Sequence, residues 1–178
     1  MENFIKKDNI ILIGFMGCGK SSVGFKLSYY LRRTLLDTDK WIEKKQGISI
    51  SQIFERFGEN AFRQMETDCL ENLLQTTEHQ IIATGGGLPI REENHELLRK
   101  LGTVYYLKVT PEVVYERLKE DTTRPLLRGD NPMEKIESLL NVREPVYEQC
   151  ADYVIEVSGK TFEEILEEIA SKERTAER

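Results

Sequence analysis

Short, continuous apolar runs alternate along the chain with longer stretches in which apolar residues recur every three or four positions. Strands buried on both faces read as unbroken hydrophobic runs, and the helices that cover them are amphipathic. The pattern therefore predicts an α/β fold with a parallel sheet flanked by helices in three layers. Five strands are expected near residues 10–13, 34–36, 80–84, 103–109 and 153–157, with helices near 20–31, 60–75, 111–119, 132–149 and 161–173. Local chemistry marks several helix starts. Asp39 and Ser49 are candidate N-caps, Pro111 and Pro132 suit a first turn, and Thr161 followed by Glu164 has the spacing of a capping box.

At 178 residues the whole chain, 1–178, is expected to form one domain. A net charge of -6 argues against a large polynucleotide surface, which needs an excess of Lys and Arg. No apolar stretch has the length of a transmembrane helix, and the segment MENFIKKDN lacks the order of a signal peptide, so a soluble cytoplasmic protein without a membrane partner is expected. Cys18, Cys69 and Cys150 are odd in number and scattered, which fits free thiols in a reducing compartment. His79 and His95 have no metal-like spacing and are expected at the surface.

The chemistry begins directly after the first apolar run, where Gly14 to Ser21 read GFMGCGKS. This is a complete GxxxxGKS phosphate-binding loop, delivered by a strand to the first turn of a helix. Its backbone N–H groups and the helix N-terminus would face nucleotide phosphates. Lys20 would reach the β/γ oxygens, and the Ser21 hydroxyl would ligate Mg²⁺. Gly14, Gly17, Cys18, Gly19, Lys20, Ser21 and Ser22 are the candidate nucleotide contacts, with ATP and Mg²⁺ the cofactors implied. Beside a helix N-terminus Cys18 could be a reactive thiol, but a small structural residue is the better reading.

Further candidates cluster where strands are expected to end. Asp37-Thr38-Asp39 follows the second strand, at the carboxyl edge where open α/β sheets bind ligands. Gly85-Gly86-Gly87 follows the third, and three glycines in a row favour close approach of backbone to a ligand, with N–H groups aimed at hydroxyls or a carboxylate. Arg63 and Glu66 share a helix face, so the carboxylate can orient the guanidinium. Arg143 supplies another planar fork suited to a carboxylate. Residues 120–131, EDTTRPLLRGDN, mix charge, Gly and Pro, carry Arg124 and Arg128, and are the candidate mobile lid. Trp41 is read chiefly as packing against the sheet.

In order, GFMGCGKS, LLDTD, GENAFRQME, ATGGGLP, TTRPLL and NVREPVY span roughly residues 9–150 and together resemble the shikimate kinases, small P-loop kinases of the nucleoside monophosphate kinase type. The resemblance implies a P-loop NTPase fold with strand order 2-3-1-4-5, substrate-binding helices over about 38–76, a monomer, and transfer of the ATP γ-phosphoryl to the 3-hydroxyl of shikimate. It assigns Ser21 and Asp37 to Mg²⁺, the latter largely through water, and Asp39 to the substrate hydroxyls. Arg63, Arg143 and Gly85 to Gly87 would hold the shikimate carboxylate and ring. Lys20, Asp39 and Arg124 would be catalytic, with Arg124 closing over the phosphates and Arg117 lying against the adenine. Another small-metabolite kinase, such as a gluconate kinase, and a non-catalytic kinase-like module are the alternatives.

Overall fold

A computed structural model describes residues 7–120 and 131–176. Its centre is a five-stranded sheet in the order β2-β3-β1-β4-β5, all neighbours parallel. The strands are β1 (Asn9–Ile13), β2 (Thr34–Asp37), β3 (Gln80–Ala83), β4 (Gly102–Lys108) and β5 (Tyr153–Glu156). Each expected strand is present within about two residues of its predicted ends. Ile10 to Ile13 of β1 are 0% exposed, as a central strand covered on both faces must be.

The helices are α1 (Lys20–Leu31), α2 (Thr38–Gln46), α3 (Ile50–Thr76), α4 (Glu93–Leu101), α5 (Pro111–Leu118), α6 (Pro132–Cys150) and α7 (Phe162–Ala176). α1 and α7 pack together over one face of the sheet, while α3, α4 and α6 form the opposite layer. Parallel order places the carboxyl ends of β1, β2 and β3 side by side, with Leu12 opposite Ala83 and Asp37 also opposite Ala83. The loops that follow these three strands therefore meet at one edge.

Pro111 and Pro132 open α5 and α6, and Ser49 caps α3 in a capping box with Gln52. Thr161 and Glu164 bond reciprocally, Thr161 N to Glu164 Oε2 at 2.7 Å and Glu164 N to Thr161 Oγ1 at 3.3 Å. The expected cap at Asp39 is corrected. Asp37 is the N-cap of α2, its extended backbone letting Oδ1 accept from Asp39 N at 3.0 Å and Lys40 N at 3.2 Å. Asp39 is thereby left inside the first helical turn.

Two further expectations fail for local reasons. The helix expected over 60–75 starts ten residues earlier, because a non-helical Gly58 (φ 80°, ψ 174°) joins two helical segments and interrupts the periodicity. His95 is buried, not at the surface, with Nε2 2.6 Å from the Pro89 carbonyl. It lies on α4, which the hydrophobic pattern did not predict. His79 is exposed as expected and pairs with Asp8.

Candidate active site

The phosphate loop leaves β1 through Gly14, Gly17 and Gly19, all at positive φ, and enters α1 at Lys20. The Lys20 ammonium donates to the Gly14 carbonyl at 2.7 Å and the Phe15 carbonyl at 3.0 Å, which draws the loop around it. Cys18 is 1% exposed and free, as a small structural residue would be. Ser21 Oγ donates to Asp37 Oδ2 at 3.5 Å. The other Asp37 oxygen is occupied by amides of the α2 cap, so the side chain is fixed with Oδ2 toward the phosphate loop.

A cleft of about 290 Å³ is lined by Met16, Gly17, Gly19, Lys20, Ser21, Ser22, Asp37, Asp39, Thr84, Gly85 and Gly86. The phosphate-loop residues and both predicted aspartates thus share one space. Asp39 is pushed up to about 6, first by burial and then by the Asp37 carboxylate, against the pull of Lys20; Glu43 raises it further and Arg63 lowers it.

The glycine loop is gripped from several sides. Gly85 N donates to the buried Thr38 Oγ1 at 3.0 Å, which ties the loop to the start of α2. A β-carbon on Gly87 would overlap the Arg63 guanidinium, so glycine is required for the side chain to lie against the backbone. Arg63 Nη1 donates to Glu66 Oε2 at 2.7 Å and Nη2 to Glu59 Oε1 at 3.1 Å. Glu66 is only 1% exposed and is pushed up to about 7, chiefly by burial, with Arg63 opposing and Asp39 reinforcing the shift. Asp39 Oδ1 and Glu66 Oε1 are buried oxygens without a hydrogen-bond partner among the described residues.

Arg63, Gly87 and Arg143 do not line the 290 Å³ cleft. They stand beside it: Arg63 against Gly87, and Arg143 with its guanidinium carbon 5.8 Å from the Phe15 ring centre. Arg117 reaches the phosphate loop from α5, donating to the Gly17 carbonyl at 2.8 Å. It lines a second cavity of about 410 Å³ with Gly17, Gly19, Ser22, Val157, Lys160 and Phe162. Gly17, Gly19 and Ser22 border both spaces. Thr38 and Tyr147 lie inside the LLDTD and NVREPVY motifs but drew no role from the sequence, and Phe162 belongs to no motif. Arg124, with residues 121–130 of the candidate lid, lies outside the described residues. Trp41 is half-buried against the core, with Lys45 Nζ 4.7 Å from its ring centre.

A parallel sheet in this order, with a GxxxxGKS loop between β1 and α1, defines a P-loop NTPase fold. The family model for shikimate kinase matches residues 16–173, and the chain belongs to that family. It is 46% identical over 161 residues to the shikimate kinase of Thermodesulfovibrio yellowstonii, covering 90% of this chain and 92% of that protein. The solved structure of shikimate kinase from Acinetobacter baumannii in complex with shikimate superposes with a TM-score of 0.88 at 38% identity, covering 97% of this chain and 96% of that one. A gluconokinase from Sinorhizobium meliloti, at 14% identity and a TM-score of 0.55, shares the fold alone.

Proposed function

We propose that this chain transfers the γ-phosphoryl group of ATP to the 3-hydroxyl of shikimate, giving shikimate 3-phosphate and ADP in the biosynthesis of chorismate and the aromatic amino acids. The observation that carries the reading is that Asp39, an acceptor-side carboxylate, lines the same cleft as Lys20 and Ser21 of the phosphate loop. An acceptor bound against Asp39 therefore stands next to the phosphates. Membership in the shikimate kinase family supplies the acceptor.

Phosphoryl transfer proceeds through a loose transition state, so alignment and positive charge carry most of the catalysis. Lys20 and Arg124 contribute charge to the migrating group, and the phosphate-loop amides hold the phosphates. Asp39 orients the 3-hydroxyl and accepts its proton late. Arg63, Arg143 and the Gly85–Gly87 backbone hold the shikimate carboxylate and ring, while Arg117 faces the adenine in the 410 Å³ cavity.

The donor set suits Mg²⁺. Ser21 Oγ and Asp37 Oδ2 are hard oxygen donors 3.5 Å apart, and Mg²⁺ is held by few protein oxygens while keeping several waters. When bound, the ion would neutralise charge on the β- and γ-phosphates. Three free, buried cysteines accord with work in a reducing cytoplasm, and the enzyme acts as a monomer in this reading. No described helix is long and apolar enough to cross a membrane.

The test is ADP release with ATP, Mg²⁺ and shikimate, against gluconate and against no acceptor. Turnover that depends on shikimate is expected. Folded protein that binds ATP yet shows no stimulation by shikimate would refute the assignment.

A further inference from the structure

Tyr147 is 0% exposed, its ring packed on Tyr106 with centroids 5.1 Å apart. The hydroxyl donates to the Gly86 carbonyl at 2.6 Å, across 61 residues of sequence. The Arg143 guanidinium approaches the same hydroxyl and, with the more distant Arg63 cation, favours its ionised form; burial outweighs both and pushes Tyr147 up to about 12. The group stays a neutral donor at any working pH. That bond ties the glycine loop after β3 to α6, the helix that also carries Arg143.

Packing alone does not require that oxygen. Phenylalanine would fill the same ring volume, and a buried hydroxyl is costly unless it is bonded. The stretch of α6 around Arg143 also lacks one of its backbone ties, since Pro145 has no N–H to donate to the Asn141 carbonyl. Among the described residues the Arg143 guanidinium lies over the Phe15 ring, and Tyr147 follows one helical turn later on the same helix.

We infer that Tyr147 is a positioning residue for the acceptor: its hydroxyl holds the Gly86 carbonyl and the Arg143 guanidinium in register, so that carboxylate recognition is set before the acceptor arrives. This rests on the shikimate kinase reading above. Pre-set geometry matters most for a bidentate contact, in which a planar guanidinium must meet a planar carboxylate. The consequence is specific to one end of the acceptor, and the nucleotide should not sense it.

The experiment compares wild type with Y147F in steady-state assays, varying ATP and acceptor separately, with shikimate and with its neutral carboxamide. The expected result is a KM for shikimate raised about tenfold, the equivalent of one hydrogen bond to a charged group. The KM for ATP should stay within about twofold, and the kcat/KM preference for shikimate over the carboxamide should shrink about tenfold by the same reasoning. A purely structural role would lower both acceptors and ATP together, leave the preference intact, and overturn the inference. So would a Y147F enzyme with wild-type constants. If wild type itself shows no shikimate-dependent turnover, the functional reading falls and this inference with it; an active wild type and an unaffected variant would sink the inference alone.

Discussion

The Asp39 carboxylate is seated against Gly85, so closely that a β-carbon there would lie 2.6 Å from Asp39 Oδ1 and 3.0 Å from Glu66 Oε1. Both oxygens are buried, and both belong to short or pinned side chains with little room to retreat. Gly85→Ala should displace Asp39 from the cleft and lower kcat about a hundredfold, in the range for loss of a positioned acid–base group. Overpacking of this kind costs about 1–3 kcal/mol, or some 2–12 °C in Tm for a chain of this size. At Gly86 the nearest atom to an added β-carbon is 3.4 Å away, so Gly86→Ala should melt close to wild type. Equal Tm losses in the two variants, read by calorimetry, would refute the close approach at Gly85.

Asp39 also sets a pH dependence. Its carboxyl is raised from 3.8 to about 6, so kcat/KM for shikimate should fall as pH drops through about 6, a region where an ordinary carboxylate is still fully ionised. Stability runs the other way. A folded-state pKa above the unfolded value stabilises the fold in acid, and that contribution is lost as pH rises from about 3.8 through about 6. Asp39→Asn removes the buried charge: it should lose about a hundredfold in kcat while melting above wild type at pH 8. The difference should narrow as the pH is lowered across that window. A variant that melts below wild type at pH 8, or keeps near-normal kcat, contradicts the assignment.

The strands and the phosphate loop were legible because their signals are local: continuous apolar runs such as Ile10 to Ile13, and glycines at fixed spacing before Lys20. What stayed hidden depends on tertiary bonding. α4 escaped because its inward face includes Asn94 and His95, polar residues that become buriable only by bonding the carbonyls of Leu88 and Pro89. The cap at Asp37 escaped for a related reason, since two aspartates flank the helix start and only backbone geometry decides between them. Phe162 became visible only with α7 packed on α1 beside the second cavity.

Arg63 has two duties that one substitution can separate from nucleotide binding. It lies against Gly87, and it is the partner of the buried Glu66 carboxylate at 2.7 Å. Arg63→Ala should raise the KM for shikimate at least about tenfold, the loss of a charge-assisted contact, with the KM for ATP within about twofold. It should also destabilise the fold, because Glu66 is left buried without its counter-ion and its carboxyl rises beyond about 7. Arg124→Ala, by contrast, should act mainly on kcat. Matching effects of both variants on ATP binding, measured by calorimetric titration, would contradict this division.

Arg117 tests the nucleotide end. Its guanidinium is held by the Gly17 carbonyl at 2.8 Å, and it lines the 410 Å³ cavity with Val157, Lys160 and Phe162. A planar cation facing an adenine contributes about 0.5–2 kcal/mol, so Arg117→Ala should weaken ATP about two- to thirtyfold. Arg117→Lys keeps the charge but not the flat stacking surface, and should recover only part of the loss. Because Arg117 is separated from Asp39 by the phosphate loop, the KM for shikimate at saturating ATP should remain that of wild type. Full recovery in the lysine variant would assign Arg117 to the phosphates by charge alone, and a raised KM for shikimate would place it on the acceptor side.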